Sequence, residues 1–322
     1  MTLSRVVALS GGVGGARFLD GVARALPPGA LTAVVNTGDD FTHLGLYICP
    51  DVDTVMYWLA ERNDPVRGWG LAGESWNFMR ALEEMGGPAW FNLGDRDLAT
   101  HVERTRLLAQ SRSLSEVTRH LCERLGIAHR IAPMSDEPLR TIVHTDEGRL
   151  EFQHYFVRRR CEPRIVRLAF ETSGGARAPS PAFAAALAAT DLEAIVICPS
   201  NPFLSIAPIL EVQGVRERLA RGTAPVIAVS PIVAGDAIKG PAAKIMQELG
   251  LEVSVVGIAC HYRDLVDGLI IDVRDAEAQT EIERFGLEVV VVNTIMKTRD
   301  DQAALAQTAI DFGRRLAVRA AA

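Results

Sequence analysis

Apolar residues first gather in the short run Arg5–Leu9, which ends at Ser10-Gly-Gly-Val-Gly-Gly15. From Ala16 to Leu26 they recur at helical spacing, until Pro27-Pro28-Gly29 breaks the period. The pattern predicts strand, glycine loop and helix. Leu31–Asn36 reads as a second buried strand running into the polar loop Thr37-Gly38-Asp39-Asp40, so the chain opens as a parallel β-α-β unit. Between Asp53 and Met85 the spacing predicts two amphipathic helices, interrupted at Asp64-Pro65 and Arg67-Gly68-Trp69-Gly70. Another helix is expected from Ser113, where Ser113 and Glu116 have capping-box spacing, to Gly126.

The texture then changes. Leu139–Thr145, the turn Asp146-Glu147-Gly148 and Arg149–Val157 predict an antiparallel hairpin. After the Gly/Ala/Pro-rich stretch Ser173–Pro181 comes an alanine-rich helix, Pro181–Thr190. Apolar runs at Ala194–Cys198, Val226–Ser230, Val253–Gly257, Leu269–Val273 and Glu288–Asn293 then alternate with helical patterns. The fold class expected is α/β: a doubly wound, mostly parallel Rossmann-like sheet formed by 1–110 and 176–322. Residues 111–175 are expected to form an inserted, smaller α+β subdomain.

Length and composition narrow the classes. A chain of 322 residues, 48% hydrophobic and 23% charged, can build a large core and lies far from disordered composition. Its formal charge of −6 argues against nucleic acid or an acidic membrane as the main partner, so an anionic ligand has to be held locally. The apolar runs are strand length, and the start Met1–Leu9 lacks the signature of a secretory signal; the cytoplasm is the expected compartment. The five cysteines are odd in number and scattered, which predicts neither a disulfide framework nor a zinc site.

In open α/β sheets ligands bind beyond the carboxyl ends of the strands, so the loops there carry the candidate chemistry. Gly11, Gly12, Val13, Gly14 and Gly15, followed by Arg17, can bring backbone N–H groups to a phosphate at a helix start. The loop lacks a Walker Lys, and Arg17 stands where a dinucleotide fingerprint starting at Gly12 needs glycine. Asp39, Asp40, Asp51 and Asp53 place four carboxylates within fifteen positions, enough for a divalent ion such as Mg²⁺ or for accepting a proton. The alternative is that Asp51 or Asp53 caps a helix Thr54–Arg62.

Two more loops, Pro199-Ser200-Asn201-Pro202 and Ser230-Pro231 through Lys239-Gly240-Pro241, offer donors and a cation for a nucleotide. Taken singly, each is also a loop with a helix-starting proline. Asn92–His101 mixes carboxylates, Arg96 and an imidazole around a glycine turn, a pattern that a salt-bridged loop would also give. Trp58, Trp69, Trp76 and Trp90 could wall a planar ligand or simply sit in the core.

Seven stretches occur in an order that resembles the 2-phospho-L-lactate transferase family, CofD/FbiA. They are Ser10–Arg17, Asn36–Asp40, Cys49–Thr54, Leu93–His101, Pro133–Asp136, Pro199–Pro202 and Ser230–Ile232 with Lys239–Pro241. The resemblance runs from about Val6 to Asp272. It implies a step of coenzyme F420 biosynthesis: transfer of a phosphorylated three-carbon acid from a guanosine diphosphate conjugate to the ribityl hydroxyl of the deazaflavin Fo, releasing GMP with Mg²⁺.

By that resemblance Gly11–Gly15, Arg17, Ser200, Asn201, Ser230 and Lys239 bind the nucleotide. Asp53, Asn92, Arg96 and His101 bind Fo. Asp40, Asp51 and Asp53 hold the metal and take the hydroxyl proton, and the family suggests a homodimer. The ending Gly-Gly-Ala-Arg17 resembles the bacterial branch, which leaves 2-phospholactate, phosphoenolpyruvate and 3-phosphoglycerate open as the acid. Two rival readings are a non-catalytic nucleotide-sugar-binding regulator of a related family, and an NAD-dependent oxidoreductase, whose fingerprint Arg17 breaks.

Overall fold

The computed structural model describes residues 5–320 apart from 173, 176 and 239. Strand β1 (Arg5–Ser10), helix α1 (Gly12–Ala25) and the parallel strand β2 (Leu31–Val35) form the expected opening unit. The polar segment after β2 folds into a small hairpin, β3 (Phe41–His43) and β4 (Leu46–Ile48), which hands the chain to α2 (Pro50–Leu59). Then come α3 (Asn77–Glu84), α4 (Asp97–Leu108) and α5 (Leu114–Leu125). The Ser113–Glu116 capping box opens α5, and Gly126, at φ 73°, closes it. Strand β5 (Arg130–Pro133) follows and pairs with β2.

A separate antiparallel sheet is made by β6 (Leu139–Thr145), β7 (Gly148–Glu151) and β8 (Ile165–Thr172), in the order β7-β6-β8. The remaining chain gives α6 (Pro181–Ala188), β9 (Leu192–Ile197), α7 (Ala207–Leu210), α8 (Val215–Arg221) and β10 (Val226–Val229). A two-stranded ribbon, β11 (Ile232–Val233) with β12 (Asp236–Ala237), leads to α9 (Ala242–Glu248) and α10 (Val255–Tyr262). Strand β13 (Gly268–Asp272), α11 (Gln279–Glu283), β14 (Glu288–Val292) and the long α12 (Arg299–Ala320) complete the order.

The central sheet has seven parallel strands in the order β14-β13-β10-β9-β1-β2-β5. From β1 the strands step outward to β5 on one side and from β9 to β14 on the other, so the winding reverses between β1 and β9. That reversal opens a crevice at the carboxyl ends of these two strands. Both faces of the sheet are buried, and alternation decides which side chain goes where. Val7, Leu9, Ile195 and Ile197 join a core shared with β6, α6, α9 and α10. Val6, Ala8, Ala194 and Val196 join the one under α1, α2, α5 and α12.

Three expectations need correction. Helix α5 and strand β5 lie in the segment 111–175 but belong with the large sheet, so the separate sheet spans only residues 139–172. The edge strand β5 was hidden because a run of four residues carries too little period. Val253–Gly257 is not a strand: Ser254 caps α10, its hydroxyl accepting from Gly257 N at 3.0 Å. The second hairpin arm stops at Glu151, and β6 takes its longer partner, β8, on the other edge.

Candidate active site

A cleft of about 700 Å³ lies over the crevice. Helix α1 already begins at Gly12, so the first-turn N–H groups, which have no partner within the helix, belong to the glycine loop itself. Gly11, Gly12, Val13, Gly14 and Arg17 line the cleft. A Cβ at Gly11 would strike Asp51 Oδ2 and lie 2.6 Å from Ser205 Cβ, so only glycine lets the loop sit between them. Ser200 staples this loop from the other side of the crevice: its hydroxyl donates to Gly11 O at 2.8 Å and accepts from Gly11 N at 3.1 Å. Gly15 is off the cleft, where a Cβ would strike the Ser10 and Ser200 hydroxyls; it serves close packing. The Arg17 guanidinium lies 5.6 Å from the Trp58 ring centroid.

Helix α2 begins four residues earlier than Thr54, at Pro50, so Asp51 and Asp53 both fall in its first turn and neither is its cap. The helix dipole favours negative charge at that end. Asn36 sits at the centre of the acidic group, its Nδ2 donating to Asp39 Oδ1 at 3.1 Å and Asp51 Oδ2 at 3.0 Å. The Gln153 amide approaches Asp39 from the small sheet's side, at 3.3 Å from its carbonyl and 3.4 Å from Oδ2. Burial, then the charges of Asp51 and Asp40, hold the Asp39 carboxyl well above its ordinary range. Burial also lifts Asp51 to about 6, against the Asn36 amide and the Gly12 N–H.

Asp40 does not join them. Neighbouring residues on a turn project apart, and Asp40 points into the interior behind the cleft, 1% exposed and outside its lining. Neither of its carboxylate oxygens has a hydrogen-bond partner among the described residues. Burial pushes it up to about 7, opposed by Arg140, Cys49 and Arg104. Of this pair it is Asp39, one residue away, that the structure brings to the cleft.

Asp53 is held differently. Arg104, fully buried on α4, grips both of its oxygens with Nη1 and Nη2, the Nη1 contact being 3.0 Å. Burial opposes the charge on Arg104, yet Asp53 and the neighbouring Cys49 raise its pKa. His101 stands between two carboxylates, its Nδ1 3.6 Å from Asp53 and its Nε2 3.5 Å from Asp97. Tyr57 donates its one hydroxyl proton to Asp97 and accepts from the Thr100 hydroxyl at 2.8 Å. Asp53, Tyr57, Asp97 and His101 all reach the cleft.

Around this acidic floor the lining is apolar and aromatic, with Ile48, Trp69, Phe91, Phe152 and Phe156 among its members. Of the four tryptophans only Trp69 takes part. Trp58 is buried, donating to Gly68 O at 2.9 Å; Trp76 packs on Arg67; and Trp90 stacks on His154 with centroids 4.7 Å apart. Asn92 lines the cleft, but Arg96 folds back onto Ala72 O and lies outside it. Ser230 is also outside: its hydroxyl is used up locally, donating to Ile232 O at 2.9 Å and accepting from Ile232 N at 3.2 Å. Lys239 lies outside the described residues.

Asp39, one of the four carboxylates counted in the sequence, lines the cleft although the resemblance gave it no role. Sequence reasoning missed Gln153, Ser205 and the segment Thr294–Lys297, which also line it.

The sequence profile of the family described as 2-phospho-L-lactate transferase CofD matches residues 6–309. A phosphoenolpyruvate transferase of Kitasatospora aureofaciens is 40% identical over 97% of this chain and 98% of its own. A 2-phospho-L-lactate transferase of Methanococcoides burtonii is 37% identical, over 91% of this chain and 94% of its own. Among solved structures, protein BH3568 of Bacillus halodurans shares the fold, with a TM-score of 0.63 at 16% identity over 96% of this chain and 99% of that one. With its glycine loop, acidic floor and parallel sheet in the order the motifs implied, the chain is a transferase of coenzyme F420 biosynthesis and belongs to the 2-phospho-L-lactate transferase CofD family.

Proposed function

We propose that the chain transfers a phosphorylated three-carbon acid from its guanosine diphosphate conjugate to the terminal ribityl hydroxyl of Fo, with GMP leaving. The observation that carries this reading is the placement of Asp39 and Asp51 beside the glycine loop, with Asp53 facing the aromatic chamber. The diphosphate lies against Gly11–Gly14, Arg17 and Asn201. The deazaflavin ring lies among Trp69, Phe91 and Asn92, and its ribityl end reaches Asp53 and His101. Asp53, locked by Arg104, orients the attacking hydroxyl by accepting its hydrogen bond, which aligns oxygen, phosphorus and leaving group.

The residues fit Mg²⁺. Among the described residues no cage of three or more His, Cys, Asp or Glu side chains is formed, but Asp39 and Asp51 share a single amide and are driven toward protonation. Two carboxylates plus phosphate oxygens and waters are what Mg²⁺ takes. When bound there it would neutralise charge on the phosphates. The acid is phosphoenolpyruvate or 2-phospholactate; the name of the 40% identical relative favours the first. Among the described residues no helix is long and apolar enough to cross a membrane. The family resemblance is what supports our reading of a cytoplasmic homodimer.

The deciding experiment supplies Fo, Mg²⁺, GTP and a guanylyltransferase, with 2-phospholactate, phosphoenolpyruvate or 3-phosphoglycerate in separate tubes, and identifies the deazaflavin product by mass. Product in one tube is the expected result and names the acid. Absence of product in every tube, with controls working, would shift the reading to a nucleotide-sugar-binding regulator.

A further inference from the structure

The chain leaves β9 through an unusual turn. Pro202–Ile206 is π-helical, with Ile206 N reaching back to Asn201 O at 3.1 Å. Such widened turns insert one extra residue and occur mostly where a side chain must be re-aimed, frequently at functional sites. The side chain re-aimed in this turn is Ser205. It is 8% exposed and lines the cleft. A point at the missing Cβ of Gly11 lies against Asp51 Oδ2 and 3.0 Å from Ser205 Oγ, so hydroxyl and carboxylate flank one spot beside the glycine loop.

The same turn leaves a second group without a partner. Asn201 Oδ1 accepts from Phe203 N at 2.9 Å and from Leu204 N at 3.0 Å, which directs its Nδ2 away from the helix. That Nδ2 is buried and has no hydrogen-bond partner among the described residues, and Asn201 lines the cleft. Buried donors are almost always satisfied, so a missing acceptor there points to a ligand atom. The turn is also tied to the acidic floor, since Leu204 O lies 3.4 Å from the Asn36 amide that bridges Asp39 and Asp51.

Ionised carboxylates accept hydrogen bonds and cannot donate to phosphoryl oxygens. The donors therefore have to come from the glycine loop and from the facing turn. Ser200 is excluded, because its hydroxyl is spent on Gly11 in both directions. We infer that Ser205 is a further catalytic residue, its hydroxyl donating to the phosphoryl group in transfer, while Asn201 Nδ2 holds the neighbouring phosphate on the nucleoside side. This rests on the transferase reading above and adds to it the residue that faces the reacting phosphorus from the π-turn. No bond is made or broken by Ser205; it supplies a placed donor where negative charge builds.

GDP and GMP separate the two phosphates, because only GDP carries the one in the transferred position. Ser205→Ala keeps the Cβ that packs on Gly11 and removes only the hydroxyl. Isothermal titration with Mg²⁺ present should show GDP affinity falling about tenfold in this variant and GMP affinity unchanged. Turnover with Fo should fall about tenfold to hundredfold at an unaltered KM for Fo. Ser205→Thr, which restores a hydroxyl, should recover most of both losses. Unchanged GDP binding and turnover in Ser205→Ala would overturn the assignment while leaving the transferase reading intact, and so would equal losses for GDP and GMP. A wild-type protein that binds neither nucleotide would overturn the transferase reading and this assignment with it.

Discussion

One wall of the cleft is made by the loops after β1 and β2 and the start of α2, the other by the loops after β9, β10, β13 and β14. The first is crowded with buried charge: Asp39, Asp51 and Asp53, their amide and guanidinium partners, and His101. The second presents proline, backbone and aliphatic surface, including Pro199, Pro231, Ile238, Ile295 and Met296, with Asn201, Ser205, Thr294 and Lys297 as sparse polar points. Fixed charge has to be organised before reaction if it is to stabilise a transition state. A large ligand is held mostly by apolar area and a few placed polar groups. On the proposed reading the contrast teaches a division between the two halves of the doubly wound sheet: fixed charge is concentrated on the first, while the second supplies recognition and the single neutral donor Ser205.

Substitutions in the charged wall should strike turnover hardest. Asp39→Asn and Asp51→Asn should each lower kcat about a thousandfold with the fold retained by circular dichroism. A loss under tenfold in either would break the division just drawn. Asp53→Asn should cost about a hundredfold in kcat and leave donor binding alone, measured by steady-state kinetics with Fo varied. Arg104→Met strands that carboxylate in the interior and should destabilise the protein by about 3–5 kcal/mol in chemical denaturation. On the other wall, Asn201→Ala should raise KM for the donor nucleotide about tenfold, with kcat within about threefold.

The pH dependence sharpens the same contrast. Because the folded pKa of Asp51 stands above its unfolded value, at about 6, the native state binds the extra proton between roughly pH 4 and 6. Stability from this group is therefore full at low pH and is lost as pH rises through about 6. Without divalent cation the melting temperature should fall by a few degrees between pH 5 and pH 7.5. Mg²⁺ should recover the loss at pH 7.5 and change little at pH 5. Arg96→Ala should have the smallest effect, under twofold in kcat/KM for Fo, since its side chain is turned onto the Ala72 carbonyl.

Much of this was legible in the residues. Long-period features came through: the strand-loop-helix opening, the capping box at Ser113 and the apolar runs that became β9, β10, β13 and β14. Several short elements did not, because β3, β4, β5, β11 and β12 have four residues or fewer and, unlike the four-residue β10, carry no run of four aliphatic residues, and Val253–Gly257 is apolar enough to pass for either state. Of the residues the motifs singled out, Gly11–Gly14, Arg17, Asp51, Asp53, Asn92, His101, Ser200 and Asn201 come together in the lining of one cleft. What the spacing left undecided is direction. Asp40 against Asp39, Arg96 turned back and Ser230 closed on itself depend on where a side chain points from a loop, and local spacing does not encode that. Gln153 and Ser205 arrive from distant segments through π-turns, which have no sequence period.

Helix α12 packs along α1, and the approach is so close that a Cβ at Gly21 would collide with the backbone carbonyl of Gln302. The two helices lie far apart in sequence, so the opening β-α-β unit keeps that face of α1 uncovered until a distant segment docks on it. The glycine loop's supporting helix can thus reach its final seating only when most of the chain is available. This long-range closure predicts slow, late acquisition of ligand binding in refolding.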